Sequence, residues 1–221
     1  MPTAIPPGVD PKLYTIAEEF MRYSYDLLGA YLDALAGISR VRAELIHYQN
    51  DTITRLKQSD PDKASEEFMD QQPMSHEFGA DHRGTPKLLH RTTQGEFKQR
   101  TTSTGLDARL LGYMAITLLY GSWEDMFREK LAFAIGHPHK NDLKADLFGD
   151  LGSLRHAIIH NHGVATERVE AAKDLRWFCR GQTIFRSAEH VDQLFDQIDA
   201  YVTQLCGIRI QEPNGLTTRW S

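Results

Sequence analysis

Leu154-Arg155-His156-Ala157-Ile158-Ile159-His160-Asn161-His162-Gly163 places an arginine, three histidines and an asparagine on two otherwise apolar turns. Arginine keeps its charge at any physiological pH, whereas histidine gives or takes a proton near neutrality. A fixed cation beside a proton-transfer group suits chemistry at a phosphate. No serine or cysteine nucleophile sits in a recognisable elbow, and no glycine-rich phosphate cradle is present. Metal binding is a separate reading, because His156 and His160 are one turn apart and His137, His139 and His162 are available. No carboxylate or cysteine stands at a spacing that completes such a set, so neither a metal nor another cofactor is expected.

The residues carrying this chemistry fall on a helix expected from about Asp142 to Asn161 and closed by Gly163. At 100° per residue, Leu147, Leu151, Leu154 and Ile158 lie within about 60° of one another and form its buried stripe. His156 and His160 lie roughly opposite. That position leaves them as surface histidines or as residues facing a cleft or a partner subunit. Arg155 lies about 140° around the helix from His160. The two converge through the arginine's reach, a distorted helix end or a second copy of the protein.

Helices must position this motif. Asp10-Pro11 places a capping aspartate before a proline at the first helical position. Apolar residues then recur at three- and four-residue spacing from Leu13 to Leu56, with Gly29 or Gly37 as the expected break. From Leu106 to about Ile135 the pattern is helical and apolar on most sides, ending at Gly136-His137-Pro138. A last amphipathic helix is expected from Ser187 to Leu205, after a short strand around Arg176 to Ile184. The Pro-rich residues 1–9 read as an arm.

Between these helices, Ser59 to Ser103 loses the helical period and is too long for an ordinary connection. It reads as an insertion, 59–103, in a single domain covering 1–221, with a hairpin over Lys87 to Thr102 turning at Gln94-Gly95. The 25 basic and 30 acidic residues give a formal charge of -5, so the chain as a whole offers nucleic acid no general attraction. The stretch from Asp81 to Arg109 is locally basic. Arg83, Lys87, Arg91, Lys98 and Arg100 are the candidates for gripping a polyanion, against the reading of a solvated loop. Cys179 and Cys206 form no disulfide framework, the N-terminus lacks a signal-peptide pattern, and the most apolar run, Leu110 to Trp123, is shorter than the ~20 residues of a membrane span. A cytoplasmic protein without a membrane partner is expected.

The motif resembles a family. Arg155-His156-(three residues)-His160 is similar to the Rx(4-6)H signature of HEPN domains, helical domains named for higher eukaryotes and prokaryotes nucleotide-binding. Tyr120-Gly121-Ser122-Trp123-Glu124 is similar to their aromatic helix ending in Trp-Glu, the block Asp150 to Gly163 to their "lRnaIvHnnG" segment, and Gly181-Gln182-Thr183-Ile184 to their usual ending. The likeness covers about residues 105 to 206. It implies an all-α antiparallel bundle, a homodimer in which two motifs face each other, and a metal-independent endoribonuclease with RNA as substrate. On that resemblance His160 is the base, Arg155 the charge stabiliser and His156 a further catalytic residue, with Asn161 and His162 in support; Glu124, by its position alone, is the expected orienting carboxylate. This chain departs from the commonest pattern in carrying His156 where asparagine is usual and in adding His162, which leaves the acid open between histidines. A toxin or anti-phage effector, with an antitoxin or regulatory protein as partner, fits such an enzyme. The alternative is a non-catalytic RNA- or nucleotide-binding module acting as sensor or scaffold.

Overall fold

Asp10 opens the first helix as its sequence requires: the carboxylate accepts the backbone N–H of Lys12 at 2.7 Å and of Leu13 at 3.1 Å. A computed structural model of the chain describes residues 10–80, 84–184 and 188–207. Arg83, Ser187 and the Pro-rich arm lie outside the described residues, as does the side chain of Lys87. Helix α1 runs Pro11–Ser59, followed by α2 (Glu66–Asp70), strands β1 (Pro73–Ala80) and β2 (Pro86–Thr93), and α3 (Gln94–Arg100). Next come α4 (Leu106–Ser122), a π-helical turn (Trp123–Phe127), α5 (Arg128–Ala134), α6 (Asp146–His160), α7 (Glu167–Glu170) and α8 (Ala188–Cys206). The fold is mostly helical with one small antiparallel sheet, β1 against β2. No described helix is long and apolar enough to cross a membrane.

The chain divides into two compact units, Met1–Leu32 with Leu110–Ser221, and Asp33–Arg109. The first unit is built on aromatic packing. Phe20 of α1 meets Trp123, Phe127 and Phe148 at ring-centroid distances of 5.6, 5.0 and 5.8 Å, and Trp123 stacks on Phe148 at 3.7 Å. The π turn is where the indole enters the core, 1% exposed. Leu147, Leu151 and Leu154 of α6 are buried as their spacing predicts, and Val191, Leu194, Phe195, Ile198 and Val202 supply the apolar stripe of α8.

The second unit has a small core of Met69 and Phe97, supplemented by polar contacts. Gln49 of α1 donates to Asp70 and to Gln94, and Arg42 donates to the Lys98 carbonyl. The segment read as an insertion, 59–103, therefore belongs to a unit that starts at Asp33 and includes the second half of α1.

Four expectations are corrected. No break occurs at Gly29 or Gly37, since α1 is helical throughout. A glycine costs a helix only about 1 kcal/mol, which its helix-forming neighbours offset. The turn expected at Gln94-Gly95 is the start of α3: Thr93 and Glu96 form a reciprocal capping box, so the hairpin lies upstream, with Pro73 paired to Thr93 and His76 to His90. The strand expected at Arg176 to Ile184 is reduced to a single bridge between Val164 and Thr183. The helix carrying the histidines begins at Asp146, after a short 3-10 turn over Lys140–Asp142.

Candidate functional site

The motif occupies the last turns of α6 and the corner that follows. Gly163 has φ of 73° and His162 has φ of 53°, the left-handed region, which folds the chain back so that the Gly163 N–H reaches the Ala157 carbonyl at 3.1 Å. Asn161 Nδ2 donates to the Val164 carbonyl at 2.8 Å, and Ile184 N–H closes on the Gly163 carbonyl at 2.8 Å. Asn161 thus holds the corner, and His162 stands exposed on it.

Helices α4 and α6 run antiparallel, as two tyrosine–glycine contacts show. Tyr113 on α4 lies against Gly163, its hydroxyl donating to the Gly163 and Ile184 carbonyls at 3.4 and 3.3 Å. Two turns later, Tyr120 lies against Gly152. These contacts bracket Arg155 and His160 on α6.

His156 and His160, four residues apart, are both exposed, with ring centroids 4.6 Å apart and planes inclined by 43°. Arg155 is half-buried and points its guanidinium to Tyr120, with Cζ 5.7 Å from the ring centroid. A cation over an aromatic face is attracted by the ring quadrupole. The arginine and the two histidines thus leave α6 in different directions, as the roughly 140° between Arg155 and His160 requires.

Glu124 does not join them. Its carboxylate bonds Arg128 at 2.8 Å and Lys140 at 2.9 Å, and it lines a cavity of about 220 Å³ with Asp146, Phe148 and Gly149, near the start of α6. Partial burial raises its pKa, but the bonds to Lys140 and Arg128 outweigh that and hold the carboxyl below its usual range. The orienting role expected of Glu124 is therefore corrected: it ties the π turn and α5 to the loop before α6.

The basic segment is corrected in the same way. Lys98 is buried, its ammonium 2.7 Å from Glu66 and 2.6 Å from Asp70. Arg100 pairs with Asp107 at 3.4 Å and meets His90 Nε2 at 2.9 Å. Both cations are neutralised inside the second unit. Of the expected polyanion contacts, only Arg91 is a described, exposed cation.

Sequence reasoning missed Asp150, whose buried carboxylate accepts the backbone N–H groups of Lys173, Asp174 and Leu175 at 2.9, 2.7 and 3.0 Å. It anchors the loop after α7 to α6. Tyr113 was likewise missed, and Tyr120 was read only as part of the block ending in Trp123-Glu124, although the two tyrosines stand seven residues apart and so share one face of α4. Among the described residues, no group of three or more His, Cys, Asp or Glu side chains is placed to hold a metal ion. Comparison with protein-family models, curated proteins and solved structures finds no match to this chain.

Proposed function

We propose that this chain is a HEPN-type, metal-independent endoribonuclease acting as a homodimer. The observation that carries the reading is the exposed His156–His160 pair at the end of α6 with Arg155 directly before it. A neutral His160 takes the proton of a ribose 2′-hydroxyl, and the oxygen attacks the adjacent phosphorus in line. The bond from phosphorus to the 5′-oxygen breaks. A protonated His156, beside His160, returns a proton to that oxygen, leaving a 2′,3′-cyclic phosphate and a 5′-hydroxyl. Arg155 stabilises the charge that develops on the phosphoryl oxygens. A toxin or anti-phage effector restrained by a partner protein is the setting such an activity fits.

The geometry favours a site shared between two copies, since Arg155 and His160 diverge within one. A two-fold axis would set the arginine of one protomer against the histidines of its partner. The unit also has apolar surface to cover: on α4, Leu110, Met114 and Leu118 recur every four residues and are 47%, 59% and 48% exposed, and Ile159 on α6 is 46% exposed.

Mixing protomers tests the shared site. Arg155→Ala and His160→Ala proteins, each inactive alone, should regain about a quarter of wild-type cleavage after subunit exchange, because about half of the dimers are mixed and each has one intact site of two. A strict monomer that cleaves RNA, or exchanged dimers without recovered activity, would overturn the composite arrangement.

A further inference from the structure

Gly152 stands in the interior of α6, where a glycine destabilises a helix by roughly 0.5–1 kcal/mol relative to alanine. Its helical backbone gives it no conformational reason to be glycine. The reason is steric. A Cβ at this position would lie 2.9 Å from Tyr120 Cε2, closer than side chains approach, and a tight 3.2 Å from both Cζ and the hydroxyl, so the ring would have to shift. The missing side chain is the seat in which the Tyr120 ring rests, and Arg155, three residues further along α6, lays its guanidinium over that ring.

We propose that Tyr120 is the positioning residue for Arg155, with Gly152 as its seat, an inference that rests on the ribonuclease reading. A free arginine side chain carries about 2 kcal/mol of rotamer entropy that must be lost when it engages a phosphate. A carboxylate partner would hold the side chain but neutralise it, and Arg155 makes no ion pair with another described residue. The phenol ring holds the guanidinium while leaving its charge for the substrate. Preorganised charge of this kind is worth most at the transition state. Tyr120 is itself fixed by the register of α4 on α6, which the Tyr113–Gly163 contact sets from the other end.

The test is a cleavage assay on wild type, Tyr120→Phe and Tyr120→Leu, each also in the Arg155→Ala background. Tyr120→Phe keeps the ring and should keep the rate. Tyr120→Leu should lower kcat about two- to fivefold with little change in KM, the fold-change equivalent of the ~0.5–1 kcal/mol of an exposed cation–π contact, and should cause no further loss once Arg155 is alanine. Equal losses in both backgrounds would mark Tyr120 as merely structural and overturn the proposal. A rise in kcat for Tyr120→Leu would do the same, since the ring would then be holding the arginine back. The position is also read without activity, through the Arg155 Nε–H resonance, which a ring at this distance should displace. That resonance should move in Tyr120→Leu and stay in Tyr120→Phe. An unmoved resonance refutes the positioning even if wild type cleaves no RNA, an outcome that by itself refutes only the ribonuclease reading.

Discussion

Replacing Gly163 by alanine probes the corner that ends α6, because two separate costs meet there. The residue has φ of 73°, and a left-handed conformation costs a residue with a Cβ roughly 1–2 kcal/mol. The added methyl would also overlap the Tyr113 hydroxyl and ring, an overpacking that typically costs about 1–3 kcal/mol. Together the substitution should destabilise the protein by about 2–5 kcal/mol, read as a fall in the urea midpoint. In a Tyr113→Leu background the steric part should disappear, reducing the additional cost of Gly163→Ala to about 1–2 kcal/mol. The cycle separates backbone strain from close approach. Equal costs in both backgrounds, or a cost below about 1 kcal/mol in wild type, would show that Tyr113 does not lie against this corner.

Further predictions concern buried charge and pH. Lys98→Gln should destabilise the second unit by about 1.5–3 kcal/mol, the scale of hydrogen bonds to charged groups, since burial disfavours the Lys98 ammonium but Asp70 and Glu66 hold its pKa above 10.5; a denaturation curve matching wild type would contradict its burial. Glu124 is held below its ordinary 4.5 by Lys140 and Arg128 against the effect of burial, so its contribution is present above that value and is lost as pH falls through the lowered one. Glu124→Gln should therefore flatten the acid limb of the stability curve; an unchanged limb would mean that the carboxylate is not paired. Burial pushes the Tyr201 phenol up to about 12, with Arg128 acting in the opposite sense. The unfolded chain ionises near 10 while the fold retains its proton, so stability should fall as pH rises from 10 towards 12, and Tyr201→Phe should reduce that slope, as measured by urea midpoints across the range.

Much of this architecture is written in local patterns. Asp10-Pro11 marks the start of α1, and the spacing of Leu147, Leu151 and Leu154 orients α6 so that His156 and His160 face outward. The capping box at Thr93 and Glu96 was equally local, yet Gln94-Gly95 also resembles a turn dipeptide, and two cap hydrogen bonds favour the helix over the turn. The fates of Lys98 and Arg100 could not be read in this way. Their partners Glu66, Asp70 and Asp107 come into range only through folding, so two of the positive charges in that stretch are paired inside the fold. The same holds at the site. Arg155 and Tyr120 are 35 residues apart, and the glycine that lets them meet looks in sequence like an ordinary weak point in a helix.

Cleavage of RNA in the presence of EDTA, with the product ends identified, decides whether this chain is a metal-independent ribonuclease. Wild type should cut RNA but not DNA, leave 2′,3′-cyclic phosphate ends and be insensitive to chelation, and His160→Ala and Arg155→Ala should each lower the rate on the order of 10²-fold or more. No cleavage by wild type, loss of cleavage on chelation, or unchanged rates in both variants would contradict it.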